Sequence, residues 1–258
     1  MLSKPQISFI KSLHQKKFRK EHGLFIAEGS KTVAEFVHSG YVIDSIYYTP
    51  QAPKLLNLSQ KVKVQEISPA ELAKVSTLSA PQDMIALLCI PPKTQILPES
   101  FKQTFTLMLD DIQDPGNLGT IIRTADWFGF DRVICSPGTV EAYNPKVVQA
   151  TMGSLARIDV MYDELVPLLR DAQIPIYGAL LKGTSIYQTR FGREGIVVLG
   201  NEGNGLSDEV KKLVTHQVTI PRFGQAESLN VAVSAAIFCT KIREETEESN
   251  VREIKNGE

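Results

Sequence analysis

Val197-Val198-Leu199-Gly200-Asn201-Glu202-Gly203-Asn204-Gly205-Leu206-Ser207 is an apolar run that breaks into a glycine-dense loop and leads to a helix for which Ser207 is the expected cap. A strand, a Gly-rich loop and a helix start, in that order, form the carboxyl edge of a parallel α/β sheet, where nucleotide-like ligands bind. Glycine lets the backbone approach such a ligand and adopt positive φ. The spacing G-x-x-G-x-G differs from the dinucleotide fingerprint G-x-G-x-x-G, and no acid follows where that fingerprint needs one. A purely structural tight turn would explain the bare pattern equally well. Glu202 adds a carboxylate able to bond a ligand hydroxyl or amine.

Working outward, apolar strands and amphipathic helices alternate on both sides of this loop. Strands are predicted at Thr106–Leu109, Arg132–Cys135, Arg157–Met161, Ile176–Leu180, Ile196–Leu199 and Val218–Ile220. Helices are predicted at Leu118–Phe128, Lys146–Thr151, Glu164–Ala172 and Asp208–Val214, with a long last helix from Leu229 to about Glu244. The fold class is therefore α/β, with a largely parallel sheet covered on both faces. Upstream, Pro91, Pro92 and Pro98 interrupt any periodicity and read as a connector. Before it, strands at Ser45–Tyr48, Val62–Ile67 and Met84–Ile90 alternate with helices near Lys31–Ser39 and Pro69–Val75, a small α/β domain. The expected organisation is residues 1–90 as a first domain, 91–104 as linker, 105–245 as the main domain and 246–258 as a charged, frayed tail.

Two further stretches share the chemistry of the glycine loop. In Asp114-Pro115-Gly116-Asn117, a turn enters a helix for which Asn117 is the expected cap, and the apolar stripe Leu118, Ile121, Ile122, Ala125 and Phe128 leaves Arg123 outside the core. The planar fork of Arg123 suits bidentate contact with a phosphate or ribose oxygen. In Pro221-Arg222-Phe223-Gly224-Gln225-Ala226-Glu227-Ser228-Leu229-Asn230-Val231-Ala232, a hydroxyl and a carboxamide stand two residues apart where a small-residue helix begins, with Ser228 the expected N-cap. An acyl nucleophile is disfavoured, because Glu227-Ser228-Leu229 is not G-x-S-x-G and none of the four histidines has triad context. No G-x-x-x-x-G-K-[ST] phosphate loop occurs.

Composition narrows the class. The 258 residues are 43% hydrophobic with net charge −1, so the overall balance does not identify a polyanionic partner. The distribution is uneven: residues 1–31 hold seven basic and two acidic side chains, whereas 241–258 hold four and six. Lys16, Lys17, Arg19, Lys20 and Lys31 are thus the expected phosphate contacts. Cys89, Cys135 and Cys239 stand far apart in apolar stretches without C-x-x-C spacing, and read as buried thiols in a reducing compartment, with no metal site. No signal-like start occurs and the longest apolar run, Met84 to Pro92, is too short for a bilayer, so the expectation is a cytoplasmic protein with no membrane partner.

Asn117 to Arg123, Leu199 to Ser207 and Ile220 to Ala236 resemble, in order, the three motifs of the SpoU (TrmH-type) family of RNA ribose 2′-O-methyltransferases, in the SPOUT class. Tyr143-Asn144-Pro145-Lys146-Val147-Val148 and Met152-Gly153-Ser154 resemble the stretch between the first two. Phe25-Ile26-Ala27-Glu28-Gly29, after the basic run, resembles the family's L30e-like substrate-binding domain. The resemblance implies a trefoil-knotted sheet domain that holds S-adenosyl-L-methionine, a homodimer, and no metal. It implies cofactor contacts at Gly200, Ile220 and Leu229, with Leu180, Leu199, Asn201 and Gly205 lining the same pocket. Asn117, Arg123, Glu202, Ser228 and Asn230 match the catalytic or substrate-positioning set, and Arg222 joins the RNA-facing residues. Ribosomal RNA is expected as substrate ahead of transfer RNA. A dinucleotide-binding oxidoreductase and a non-catalytic RNA-binding protein are the alternatives. Trp127 and Arg222 depart from the smaller or apolar residues usual in the family at those places.

Overall fold

The computed structural model describes residues 1–54, 58 and 61–256, with side chains in the last helix described to residue 247. In chain order the elements begin with α1 (Lys4–Ser12), α2 (Lys16–His22), β1 (Leu24–Glu28), α3 (Ser30–Val37), β2 (Ile43–Tyr48), β3 (Lys63–Glu66), α4 (Pro69–Val75) and β4 (Met84–Cys89). They continue with β5 (Phe105–Asp110), α5 (Pro115–Trp127), β6 (Arg132–Cys135), α6 (Pro145–Ala150), β7 (Asp159–Tyr162) and α7 (Leu165–Asp171). The last are β8 (Ile176–Ser185), β9 (Gly195–Gly200), α8 (Asp208–Lys211), β10 (His216–Thr219) and α9 (Val231–Asn256). The chain divides into two compact units. One is Met1–Pro92 with Glu141–Arg157; the other is Lys93–Val140 with Ile158–Glu258. Among the described residues no helix is long and apolar enough to cross a membrane.

The first unit is a four-stranded sheet in the order β1-β4-β2-β3, antiparallel at the first two pairings and parallel between β2 and β3. Ile10, Leu13, Ile26, Leu72, Val75, Ile85 and Leu87 form a core on one side of it. Helices α1 and α4 begin with capping boxes, Ser3 with Gln6 and Ser68 with Glu71, each with a proline in the first turn. Helices α1 and α2 and strand β1 are not among the elements predicted from sequence, although signals for all three are present. Ser3-Lys4-Pro5-Gln6 is a start signal, Gly23 at φ 64° is a left-handed C-cap for α2, and Phe25–Glu28 is a fully buried run.

The segment Glu141–Arg157, expected in the main domain, belongs to this first unit. Tyr143 sets its ring 4.8 Å from that of Phe25, and Arg157 pairs with Glu35. Arg19 is held here too, which corrects its assignment to the phosphate-facing surface. It is 2% exposed; its Nη2 and Nε donate to Glu141 at 2.7 and 3.3 Å and its Nη1 donates to the Leu13 carbonyl at 2.8 Å. A buried guanidinium is tolerable only with its fork satisfied in this way, so no donor set is left for RNA. Lys16, Lys17, Lys20 and Lys31 remain exposed.

The second unit is a six-stranded sheet in the order β10-β8-β9-β5-β6-β7, with every pairing parallel. The chain steps from β5 to β6 and β7 on one side, then returns to β8 and β9 on the other. The order reverses between β5 and β9, and in open α/β sheets it is at the carboxyl ends of the strands beside such a reversal that ligands bind. Met108, Ile134, Ile196 and Val198 point to a core completed by α7 and α8. That core also takes Ile96 and Phe101, so the stretch read as a linker is anchored in the second unit from residue 96, after the exposed run Pro91–Gln95. Helix α5 packs along α9; α5 buries Leu118, Ile121, Ile122 and Ala125, and α9 buries Ala235, Phe238 and Ile242. Arg243 of α9 closes the far end of α5, donating to the Phe128 and Gly129 carbonyls with its guanidinium 5.2 Å from the Phe130 ring centre. Burial pushes the thiols of Cys135 and Cys239 up to about 12, so both are inert at neutral pH. Cys89 is only half-buried. Residues 257–258 of the expected charged tail lie outside the described residues.

Candidate active site

Three segments meet at the carboxyl edge of β5 and β9. Strand β5 ends at Asp110, directly across from Gly200 at the end of β9. Asp110 is 7% exposed and its Oδ2 accepts the Ser207 N–H at 2.7 Å, fixing the exit of the glycine loop. The next residue, Asp111, sits at φ 61°, and its carbonyl accepts Asn201 Nδ2 at 2.7 Å. Positive φ in a non-glycine residue is a strained conformation that clusters at functional sites. Asp110 and Asp111 are absent from the site residues expected from sequence; an Asp-Asp pair closing an apolar strand is the signal that points to them.

The loop after β9 folds onto itself. Asn201 and Gly205 exchange two backbone hydrogen bonds of 2.9 Å, and Asn201 Oδ1 accepts the N–H groups of Gly203 and Asn204 at 2.8 and 3.0 Å. A Cβ on Gly200 would lie 2.2 Å from the Gly205 carbonyl carbon and 2.3 Å from the Leu206 nitrogen. Gly200 is therefore required by the loop's own closure. Asn201 is spent on holding the loop.

Asn117, Glu202 and Asn230 are joined in one chain of hydrogen bonds. Asn117 Nδ2 donates to Glu202 Oε1 at 2.9 Å, and Asn230 Nδ2 donates to Asn117 Oδ1 at 2.8 Å. Asn230 Oδ1 accepts the N–H groups of Ala232 and Val233 at 2.9 and 3.3 Å. The ends set its direction: an ionised carboxylate only accepts and a helix N-terminus only donates, so both amides have one possible orientation. The chain ties the start of α5, the glycine loop and the start of α9 together. It also corrects two caps. Asn230, not Ser228, caps α9, which starts at Val231; Asp114, not Asn117, caps α5 through its Oδ1 and the Asn117 N–H at 2.8 Å. Ser and Asn are equivalent caps on paper, and here the carboxamide wins because Asn117 already holds it in place.

Arg123 and Ser228 stand outside this chain. Arg123 lies about 9 Å further along α5 than Asn117. It is exposed and makes no hydrogen bond or ion pair among the described residues. Ser228 and Arg222 are exposed in the segment before α9, where Arg222 Nη1 donates to the Ala226 carbonyl at 3.3 Å. Of the other residues expected to hold the cofactor, Leu199 is buried, Leu180 and Ile220 are half-buried and Leu229 is 48% exposed. The main-chain N–H groups of Ile220 and Leu229 have no protein acceptor among the described residues. Apolar side chains next to unpaired main-chain donors suit a heteroaromatic base read by backbone groups, so these residues fit an adenosyl cofactor. Lys16, Lys17, Lys20 and Lys31 belong to the first unit.

Comparison with known proteins identifies the family. The profile of the SpoU rRNA Methylase family matches residues 104–240, and that of the MRM3-like substrate binding domain matches residues 4–86. The chain is 33% identical over 237 residues, 90% of its length and 94% of the relative's, to the 23S rRNA (guanosine(2553)-2'-O)-methyltransferase RlmP of Bacillus subtilis. Among solved structures it is similar to a putative RNA methyltransferase of the TrmH family from Porphyromonas gingivalis, with a TM-score of 0.85 and 38% identity, covering 93% of this chain and 98% of that one. An AdoMet-bound rRNA methyltransferase from Sinorhizobium meliloti is similar too, with a TM-score of 0.85 and 27% identity over 95% and 96% of the two chains. With a matching profile over more than half its length and a relative this similar from end to end, the chain belongs to the SpoU rRNA methylase family.

Proposed function

We propose that this protein methylates a ribose 2′-hydroxyl of ribosomal RNA, with S-adenosylmethionine as methyl donor. The observation that carries the reading is the chain Asn230–Asn117–Glu202, which joins all three family motifs, the third of which carries the main-chain donors of Ile220 and Leu229 without a protein acceptor among the described residues. The donor supplies a methyl group on sulfonium with a neutral leaving group, so the protein's task is chiefly alignment. The glycine loop, Ile220 and Leu229 hold the adenosyl part, with Leu180 and Leu199 alongside. Glu202, Asn117 and Asn230 fix the three segments relative to one another. The guanidinium of Arg123 positions the substrate strand and offsets negative charge on the 2′-oxygen as the hydroxyl proton passes to water, and Ser228 is assigned to the substrate side. Radiolabelled methyl transfer to ribosomal RNA followed by nucleoside analysis tests the reading. Label in 2′-O-methylnucleosides is expected; label in a methylated base would remove the ribose assignment.

Lys16, Lys17, Lys20 and Lys31 are proposed to add phosphate affinity without base preference, with Arg222 contributing from the other unit. In a Lys16/Lys17/Lys20→Ala variant, the slope of log affinity against log salt should become shallower by roughly 0.7–0.9 for each phosphate that is no longer neutralised. An unaltered slope would move the RNA surface away from α2.

A homodimer is the proposed assembly. Val233 is about half exposed and Ala236 and Ile237 are half-buried at helical spacing on α9, and Leu229, about half exposed, lies just before the helix. A self-complementary apolar stripe with small residues suits a two-fold contact. A 28.6 kDa particle in sedimentation at micromolar concentration would exclude it.

A further inference from the structure

We infer that Trp127 is a stacking platform for a nucleobase of the substrate strand beside the nucleotide addressed by Arg123; this rests on the reading of RNA as substrate. Trp127 is the chain's one tryptophan, 84% exposed, and the last residue of α5. A single exposed apolar side chain needs no explanation in itself. The position of this one does. Gly116, Thr120, Arg123 and Trp127 follow one another at spacings of four, three and four and are all exposed, so they form a single outward stripe of α5. The indole therefore sits one turn beyond the guanidinium on the same face.

Charge decides which end of that stripe RNA crosses. Asp111, Asp114 and Glu202 gather at the start of α5, and a phosphate chain is repelled there. Arg123 is the cation of the stripe, so the backbone passes over it and continues toward Trp127. The platform is also rigid. Arg243 holds the Phe128 and Gly129 carbonyls immediately after Trp127, so this helix end does not fray. A fixed, exposed indole next to an arginine is the arrangement by which single-stranded RNA is gripped, each base offering a π-face whatever its identity.

The tryptophan is its own probe. In the full-length protein without RNA, its emission should be that of a solvated indole open to iodide quenching. Adding a short single-stranded oligoribonucleotide should quench the emission and shield it from iodide. Trp127→Ala should raise KM for RNA about tenfold, the loss of one base–aromatic stack, while kcat and S-adenosylmethionine affinity stay within about twofold. Trp127→Phe keeps a π-face and should restore most of the loss. Two outcomes overturn the inference: an indole already shielded in RNA-free protein that opens on dilution, which would place a second copy of the chain on this face, or an unchanged KM in Trp127→Ala. The quenching measurement needs no turnover, so a protein that bound RNA through Trp127 without methylating it would sustain this inference and defeat the methyltransferase reading alone.

Discussion

Arg123→Ala is expected to bind S-adenosylmethionine as the unaltered protein does and to lose about 10²- to 10³-fold in kcat, the usual cost of removing one donor aimed at developing charge. The separation of the two effects follows from position. Arg123 is exposed on α5, makes no hydrogen bond or ion pair among the described residues, and is distant from Ile220 and Leu229 in sequence and element. Removing it should change folding stability by no more than about 0.5 kcal/mol. Arg123→Lys should recover little, because an ammonium cannot present two parallel N–H groups to a phosphate or a ribose oxygen. Isothermal titration with S-adenosylmethionine and single-turnover methyl transfer to ribosomal RNA measure the two quantities independently. Full turnover in Arg123→Ala would take this residue out of the reaction and leave the rest of the site standing.

Gly200→Val is expected to abolish cofactor binding for a different reason, and Gly200→Ala should already do most of the damage. The added Cβ meets backbone, at 2.2 Å from the Gly205 carbonyl carbon and 2.4 Å from its oxygen, so no rotamer relieves the clash. The Asn201–Gly205 bridge must open, and with it go the anchors from Asn201 to Asp111 and from Ser207 to Asp110. Overpacking of this kind costs about 1–3 kcal/mol, which a lowered midpoint of thermal unfolding should register. Gly203→Ala is the control within the same loop. Its Cβ would come no nearer than 3.5 Å to Asn201 Oδ1, so binding should survive. Equal affinity in Gly200→Ala and the parent protein would show that the closed loop is not needed to hold the cofactor.

The main domain's alternation of strands and helices was legible because each element writes its period into neighbouring residues. Every predicted strand between residues 106 and 220 has a counterpart within a few residues, and the sheet is parallel throughout. The order of the three motifs was legible too, and with it the family. In the first thirty residues the charge run is the dominant signal, and the capping box at Ser3 and the strand at Leu24 lie beneath it. A basic run and an amphipathic helix occupy the same letters there, and the stronger pattern conceals the weaker.

What the sequence determined by itself was therefore local: periodicity, turn chemistry, the succession of elements and the residue types capable of the chemistry. Tertiary structure decided which of several equivalent side chains does what. Arg19 is indistinguishable from Lys20 in the chain, yet it lies opposite Glu141, 122 residues away, and is lost to the surface. Ser228 and Asn230 are equal caps until Asn117, 113 residues upstream of Asn230, takes hold of one of them. Gly200 is one glycine among three in the loop's sequence, and only the fold shows Gly205 and Leu206 lying against it. The physical reason is the same in each case: propensity and capping depend on neighbours within about one helical turn. The pairing that settles a buried charge or an amide's orientation is made across the closed fold, where desolvation leaves only one partner within reach.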